Sequence, residues 1–406
     1  MERFFSQRAR SIRRSVIREL LKFTQQPDVI SFAGGTPDPE TFPRVELARI
    51  AFQEIQENYT YSLQYSTTEG NVELRRALLE FLRKDGIEAE LEEIMITTAS
   101  QQGLDLVAKT FLDPGDVVYV ELPSYLGAIQ AFRAFEAELV GITLEEDGMD
   151  LERLREQVKK DRARGKNPKL IYVIPDFQNP AGICWSEEKR AELLKIAEEE
   201  DLLVVEDAPY RALRFAGEEA PSLKAMDREG RVVFLFTLSK ILAPGLRLAA
   251  LVGTEEIVNK VVAVKQATDL CTPALTQALA LRFLREHDFE AHIERLRSCY
   301  REKRNAMIAA LERYMPEGVR WTRPEGGLFL WVSLPPGLDT EKMLPKALER
   351  KVAYVSGSSF FVDGTGYNTM RLSFAIATLE QIDEGIRRLA EVIKEELAAL
   401  PGPVSA

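Results

Sequence analysis

The sequence predicts an α/β fold: a mostly parallel seven-stranded sheet with flanking helices, followed by a smaller α+β domain. Three observations carry this. From residue 94 onward, short β-branched runs alternate with longer amphipathic stretches, the pattern of βαβ units. Past residue 286 that alternation stops, and one long helical stretch leads into short, widely spaced strands. The length of 406 residues, 45% of them apolar, is enough for two or three domains at roughly 150 residues each and for a sizeable core.

Seven apolar runs read as strands: 94–98 (IMITT), 117–121 (VVYVE), 139–143 (LVGIT), 170–175 (LIYVIP), 202–206 (LLVVE), 232–236 (VVFLF) and 248–252 (LAALV). Helical stretches at 101–112, 125–136, 150–164 and 186–200 fall between several of them, as parallel crossovers require. The later part reads as a helix over 287–314, strands near 319–322, 328–333 and 369–374, and helices near 340–350 and 378–398. The expected division is an N-terminal helical segment (1–30), a large domain (31–285) and a small C-terminal domain (286–406).

Charge and composition exclude several roles. With 53 Lys+Arg against 64 Asp+Glu the net charge is −11, which repels nucleic-acid backbones and anionic membrane surfaces. The longest apolar runs, such as 232–236, fall far short of the ~20 residues of a membrane span. Cys184, Cys271 and Cys299 lie far apart, as expected of reduced thiols in a cytoplasmic protein. Six arginines precede Glu19, but the segment lacks the serine-rich character of a transit peptide and reads as an amphipathic first helix. The only histidines, His287 and His292, sit five apart on one helical stretch, so no metal site is expected.

In open α/β sheets ligands bind beyond the carboxyl ends of the strands. The residues just past each predicted strand are Ser100 and Gln101, Tyr125, Asn179, Asp207 with Tyr210, and Thr237, Ser239 and Lys240. Hydroxyls at a helix start, aromatic rings, an amide, an acid and a lysine thus converge. Read singly, several have plainer explanations. Asp207 also fits a helix N-cap, Asn179-Pro180 a turn, and the tyrosines core packing.

Taken together and in order, the stretches SFAGGTPDPETFP (31–43), QYSTTEG (64–70), TTASQQGLDL (97–106), DFQNPAG (176–182), VVEDAPY (204–210), TLSKILAPGLRLA (237–249) and MRLSF (370–374) give the chain its resemblance. It resembles the fold-type I pyridoxal-phosphate aminotransferases (class I/II) over nearly its whole length, most of all the branch of 2-aminoadipate and kynurenine aminotransferases. The resemblance implies pyridoxal 5'-phosphate as cofactor and a Schiff base between its aldehyde and Lys240. It implies that Asp207 meets the pyridinium nitrogen, that Tyr210 and Asn179 hydrogen-bond the phenolate oxygen, and that Tyr125 stacks on the ring. Ser100, Gln101, Thr237, Ser239 and Arg247 would hold the phosphate. Here the chain departs from the commoner pattern, which has serine at position 237 and phenylalanine at 238. Tyr65 matches a residue that reaches the neighbouring subunit's cofactor phosphate, which implies a homodimer with shared active sites.

For the substrate, the resemblance implies that Arg371 anchors the α-carboxylate with help from Asn179. Gly35 would let the backbone approach, and Arg18 would meet an acidic side chain or swing away for apolar ones. A structural ion pair for Arg371, a simple turn at Gly34-Gly35 and a solvated charge for Arg18 stand as plainer alternatives. The implied reaction passes the amino group of an amino acid (2-aminoadipate, glutamate, aromatic or branched-chain) to a 2-oxo acid such as 2-oxoglutarate by ping-pong kinetics. A carbon–sulfur or other β-lyase on the same fold is the alternative. A cofactor-binding regulator fits less well, because the segment before SFAGG is short for a DNA-binding domain and the charge is wrong.

Overall fold

The computed structural model describes residues 2–12 and 28–400. Its strands in chain order are β1 (Ile30–Ser31), β2 (Ile94–Thr97), β3 (Asp116–Leu122), β4 (Glu138–Glu145), β5 (Gly148–Met149), β6 (Asn167–Val173), β7 (Leu203–Asp207), β8 (Val232–Thr237), β9 (Ala249–Val252), β10 (Arg320–Trp321), β11 (Phe329–Ser333), β12 (Val352–Ala353), β13 (Val355–Ser356) and β14 (Thr369–Ser373). The central sheet runs β2-β9-β8-β7-β6-β3-β4-β5. Its inner pairs, from β8 through β7, β6 and β3 to β4, are parallel, whereas β9 is antiparallel to β8 and β2 to β9.

The continuous apolar runs of the sequence have a direct cause: helices cover both faces, so every residue of β2 and β8 is buried. Alternation divides each strand between the two layers. Val205 packs with Leu104, Phe132 and Leu235 on one face, and Val204 with Leu154, Leu193 and Ile196 on the other.

The sheet has eight strands, one more than the sequence predicts. The chain turns back after β4, and β5 pairs antiparallel with it, Glu145 opposite Gly148 and Leu144 opposite Met149. Gly148 adopts φ +137°, and a side chain there would meet the Trp185 ring at 3.0 Å. Two residues carry no readable alternation, which is why this strand escapes a pattern search. The histidine expectation also changes. His287 caps the helix Ala274–Glu286, and His292 lies in the next helix, Phe289–Tyr314, which Asp288 starts by accepting from the Ala291 N–H.

The C-terminal layer holds the antiparallel sheet β10-β11-β14-β13, packed against the helices Phe289–Tyr314 and Leu379–Ala399. The N-terminal strand β1 joins this layer, pairing in parallel with β12. The chain then passes from β1 into the loop at residues 32–38, whose Phe32 carbonyl accepts from the Ser373 N–H at 2.8 Å. Residues early in the sequence are thereby laid beside β14, facing the carboxyl ends of β6, β7 and β8. Among the described residues no helix is long and apolar enough to cross a membrane.

Candidate active site

β8 delivers the lysine. At its last residue the Thr237 hydroxyl accepts the Ser239 N–H at 3.1 Å and lies 2.9 Å from the Ser239 hydroxyl, so Thr237 shapes the turn that Ser239 occupies. The Lys240 ammonium donates to the Gly35 carbonyl at 2.8 Å and sits 5.9 Å from the centre of the Tyr210 ring. Burial, then the positive charges of Arg371 and Arg247, push its pKa down to about 8, against the pull of Asp207. Arg247 itself is exposed and holds a left-handed φ of +53°.

β7 delivers the acid. Asp207 is buried, with Oδ2 accepting from the Tyr172 hydroxyl at 2.9 Å and Oδ1 without a partner among the described residues. Burial pushes its pKa up to about 7, although Tyr172 and Lys240 both favour the charged form. Alternation sends Glu206 to the opposite face, where it accepts the Leu223 and Lys224 N–H groups. Three residues beyond Asp207, Tyr210 is buried and receives the Asn179 amide at 3.4 Å.

Arg371 comes from β14 and is 1% exposed. It donates to Asn179 Oδ1 and to the Ala33 carbonyl, each at 2.8 Å, while its Nε has no partner among the described residues. The guanidinium lies 4.2 Å from the Phe329 ring centre and 5.1 Å from that of Phe360. Burial lowers its pKa to about 10, so it remains a cation at neutral pH. Gly35 lets the loop run close to Phe329: a Cβ there would stand 3.0 Å from Phe329 Cζ and press on the ring that faces Arg371.

The remaining side of the site is the start of the helix Ala99–Phe111. No side chain caps it at Thr98, and the Ser100 hydroxyl is buried without a partner among the described residues. Gln101 donates to the Gly127 carbonyl at 3.0 Å, and a Cβ on Gly127 would strike both the Tyr125 ring at 2.5 Å and Gln101 Oε1 at 2.6 Å. Tyr125 is therefore seated beside the first turn of that helix. Tyr65 is apart from this group, its side chain 79% exposed. Arg18 lies outside the described residues. No group of His, Cys, Asp and Glu suited to a metal ion occurs among the described residues.

Residues 27–389 match the family described as aminotransferase class I and II. The chain belongs to that family. This aminotransferase is 45% identical over 397 residues to the aromatic-amino-acid aminotransferase 1 of Thermococcus litoralis, covering 98% of this chain and 95% of that one. Its fold is that of the fold-type I aminotransferases. It matches the structure of Pyrococcus horikoshii kynurenine aminotransferase with a TM-score of 0.94, 47% identity and 98% of both chains covered. The alpha-aminoadipate aminotransferase of Thermus thermophilus, complexed with N-(5'-phosphopyridoxyl)-L-leucine, gives a TM-score of 0.91 at 44% identity, covering 98% of this chain and 99% of that one.

The aminotransferase holds Asn179 in place through groups that a scan of strand ends does not reach. Asp176, buried three residues earlier, is gripped by Arg190 and Arg211, each at 2.8 Å. Burial alone would raise its pKa, but the two guanidiniums outweigh it and keep the carboxyl below the usual range. Gln178 donates to Glu121 and to the Pro123 carbonyl, tying this loop to the one that carries Tyr125. Arg190 has no exposure, so Arg190→Met leaves Asp176 with an uncompensated share of buried charge. The expected cost is about 3–5 kcal/mol of stability, read as a lowered denaturant midpoint.

Proposed function

We propose that the aminotransferase uses pyridoxal 5'-phosphate to move the amino group of a broad set of amino acids to a 2-oxo acid such as 2-oxoglutarate. The donors are 2-aminoadipate, glutamate, and aromatic and branched-chain amino acids. The observation that carries this reading is one loop with two donors on it: Lys240 Nζ bonds the Gly35 carbonyl and Arg371 Nη2 the Ala33 carbonyl, two residues away. An amine for the cofactor and a fork for the substrate carboxylate therefore lie side by side. Asp207 Oδ1 and Ser100 Oγ, both buried without a partner among the described residues, fit the same cofactor, one offering an acceptor for its ring nitrogen and the other a hydroxyl for its phosphate.

The cofactor, when bound, supplies an aldehyde for the amino group and a protonated ring that accepts the electron pair released at Cα. The protein's residues do the rest. Ser100, Gln101, Ser239 and Arg247 would hold the phosphate, with Thr237 shaping the turn that carries Ser239. Tyr125 would lie against the ring, and Tyr210 and Asn179 would hydrogen-bond its phenolate oxygen. Arg371, with Asn179, anchors the α-carboxylate and so fixes the Cα–H bond across the ring plane. Lys240 would take that proton from Cα and deliver it to the carbon that carried the cofactor's aldehyde. The donor leaves as a 2-oxo acid before the acceptor enters, which is the order of ping-pong kinetics.

Substrate breadth is supported by the relatives, whose names cover aromatic, kynurenine and aminoadipate activities. Arg18 is assigned the acidic side chains on the sequence resemblance. A homodimer, with Tyr65 reaching the partner subunit's cofactor phosphate, is supported by the exposed apolar side chains Val45, Phe52, Tyr59, Leu63 and Tyr65. A cytoplasmic setting is in keeping with the three free cysteines.

The test is a visible spectrum of the holoenzyme titrated with glutamate, 2-aminoadipate, leucine, phenylalanine and kynurenine in turn. The cofactor band is expected to disappear with several of these donors and to return on adding 2-oxoglutarate. Release of ammonia and pyruvate from cysteine-type substrates with no acceptor present would replace this reading with a β-lyase.

A further inference from the structure

Tyr172 has no place in the sequence resemblance or in the chemistry above, yet it makes the hydrogen bond that occupies Asp207 Oδ2, at 2.9 Å. It comes from β6, the strand beside β7, where it stands opposite Val205. It has no exposure, and its ring is held edge-on by Phe132 at 5.6 Å between centroids. Packing asks only for a ring at this position, and phenylalanine would fill the same space. The hydroxyl is a costly group to bury, and Asp207 is the partner that offsets the cost. Burial and the neighbouring carboxylate hold the Tyr172 pKa well above the usual phenol value, so it stays a donor across the working pH range.

A carboxylate with one oxygen held, and the other buried without a partner among the described residues, has its rotation set and its remaining lone pairs aimed. We propose that Tyr172 is a positioning residue for the cofactor's ring nitrogen: it turns Asp207 so that Oδ1 faces the ring, and it keeps their shared proton on the nitrogen. This inference rests on the reading that the site holds pyridoxal phosphate. The second part follows from electrostatics. One proton lies between Asp207 Oδ1 and the ring nitrogen. A phenol donating to Oδ2 stabilises the carboxylate anion and lowers the basicity of Oδ1, which leaves the proton on nitrogen. Without that donor the proton moves to Oδ1, and the nitrogen regains its lone pair.

The other titratable groups acting on this carboxylate are Lys240, whose charge favours the anion, and Glu121 and Tyr210, which oppose it when ionised. Tyr125 interacts with Tyr172 and Tyr210 at the same place. Lys240, Glu121 and Tyr210 make no hydrogen bond to Asp207 among those between described residues, and Tyr172 is the donor to Oδ2 that Tyr172→Phe removes.

The test compares wild type and Tyr172→Phe, both reconstituted with ring-¹⁵N-labelled pyridoxal phosphate, by the ¹⁵N resonance of the bound cofactor. The wild-type signal is expected in the pyridinium range, and the variant's is expected to move toward that of neutral pyridine. With it, kcat should fall about tenfold to a hundredfold, the loss of one hydrogen bond to a charged group, while KM holds. A Tyr172→Phe protein with wild-type melting, an unmoved ¹⁵N signal and unchanged kcat overturns the inference. Should the variant not fold, 4-aminophenylalanine at position 172, nearly isosteric and a weaker donor, is expected to move the signal toward that of neutral pyridine, and no movement overturns it. Wild-type protein that takes up no cofactor refutes the proposed function, and this inference with it, a result distinct from a silent variant.

Discussion

Lys240→Ala is expected to reduce transamination by at least about three orders of magnitude, since it removes both the covalent tether of the cofactor and the group that moves the Cα proton. Borohydride should fix the cofactor covalently to the wild type and leave it extractable from the variant, and a small added amine such as ethylamine should restore part of the rate. A variant that remains covalently labelled, or turns over at the wild-type rate, refutes the assignment. The sign of the pH dependence follows from the same site. The amine reacts with an aldehyde only when neutral, and burial with Arg371 and Arg247 nearby brings its pKa to about 8 against the opposing charge of Asp207. Cofactor uptake by the cofactor-free protein should therefore accelerate as pH rises through about 8 and level off above it.

Arg371→Lys is expected to lower kcat/KM for amino acids by about two to three orders of magnitude, because the buried carboxylate keeps a nearby cation but loses the two-donor fork that orients it. The change is not conservative. Arg371 bonds Asn179 and Ala33 at once, and a single ammonium on a flexible stem cannot reproduce that planar spread. The control is the matching primary amine without a carboxylate, whose slow reaction should be nearly indifferent to the substitution. If amino acid and amine lose rate equally, Arg371 supports the fold and does not bind the carboxylate.

What the sequence discloses about this site is local. Asp207, Tyr210, Ser239 and Lys240 are legible because each follows an apolar run by a few residues, and the run announces the strand that aims them. The same logic separates Asp207 from Glu206, since alternation sends neighbours to opposite faces. Tyr172 is hidden by that logic: it lies inside its strand, LIYV, where a tyrosine looks like core, and its meaning depends on the register between β6 and β7. Nor can spacing reveal that the carbonyl receiving Lys240 belongs to Gly35, far earlier in the chain. Arg190 looks like one more charge on a polar helix until the fold closes around Asp176. Strands β1, β5, β12 and β13 are two residues each, too short to leave a periodicity; β5 and β13 form because the longer β4 and β14 offer them an edge, and β1 and β12 because the fold lays them side by side.

The pairing of β1 with β12 bears on how this protein can be cut and rebuilt. The loop that presents the Ala33 and Gly35 carbonyls follows β1 directly, and its position is set by backbone hydrogen bonds to Lys351, Ala353 and Ser373. A fragment that ends before residue 352 keeps Lys240, Asp207 and Tyr210 but loses the frame that brings those carbonyls to them. A split-protein reporter or a cofactor-carrying minimal scaffold made from the larger part alone would lack half its pocket wall. Two fragments divided in the surface turn at 316–318, by contrast, each keep one strand of the β1–β12 pair and can regain the pocket only by associating.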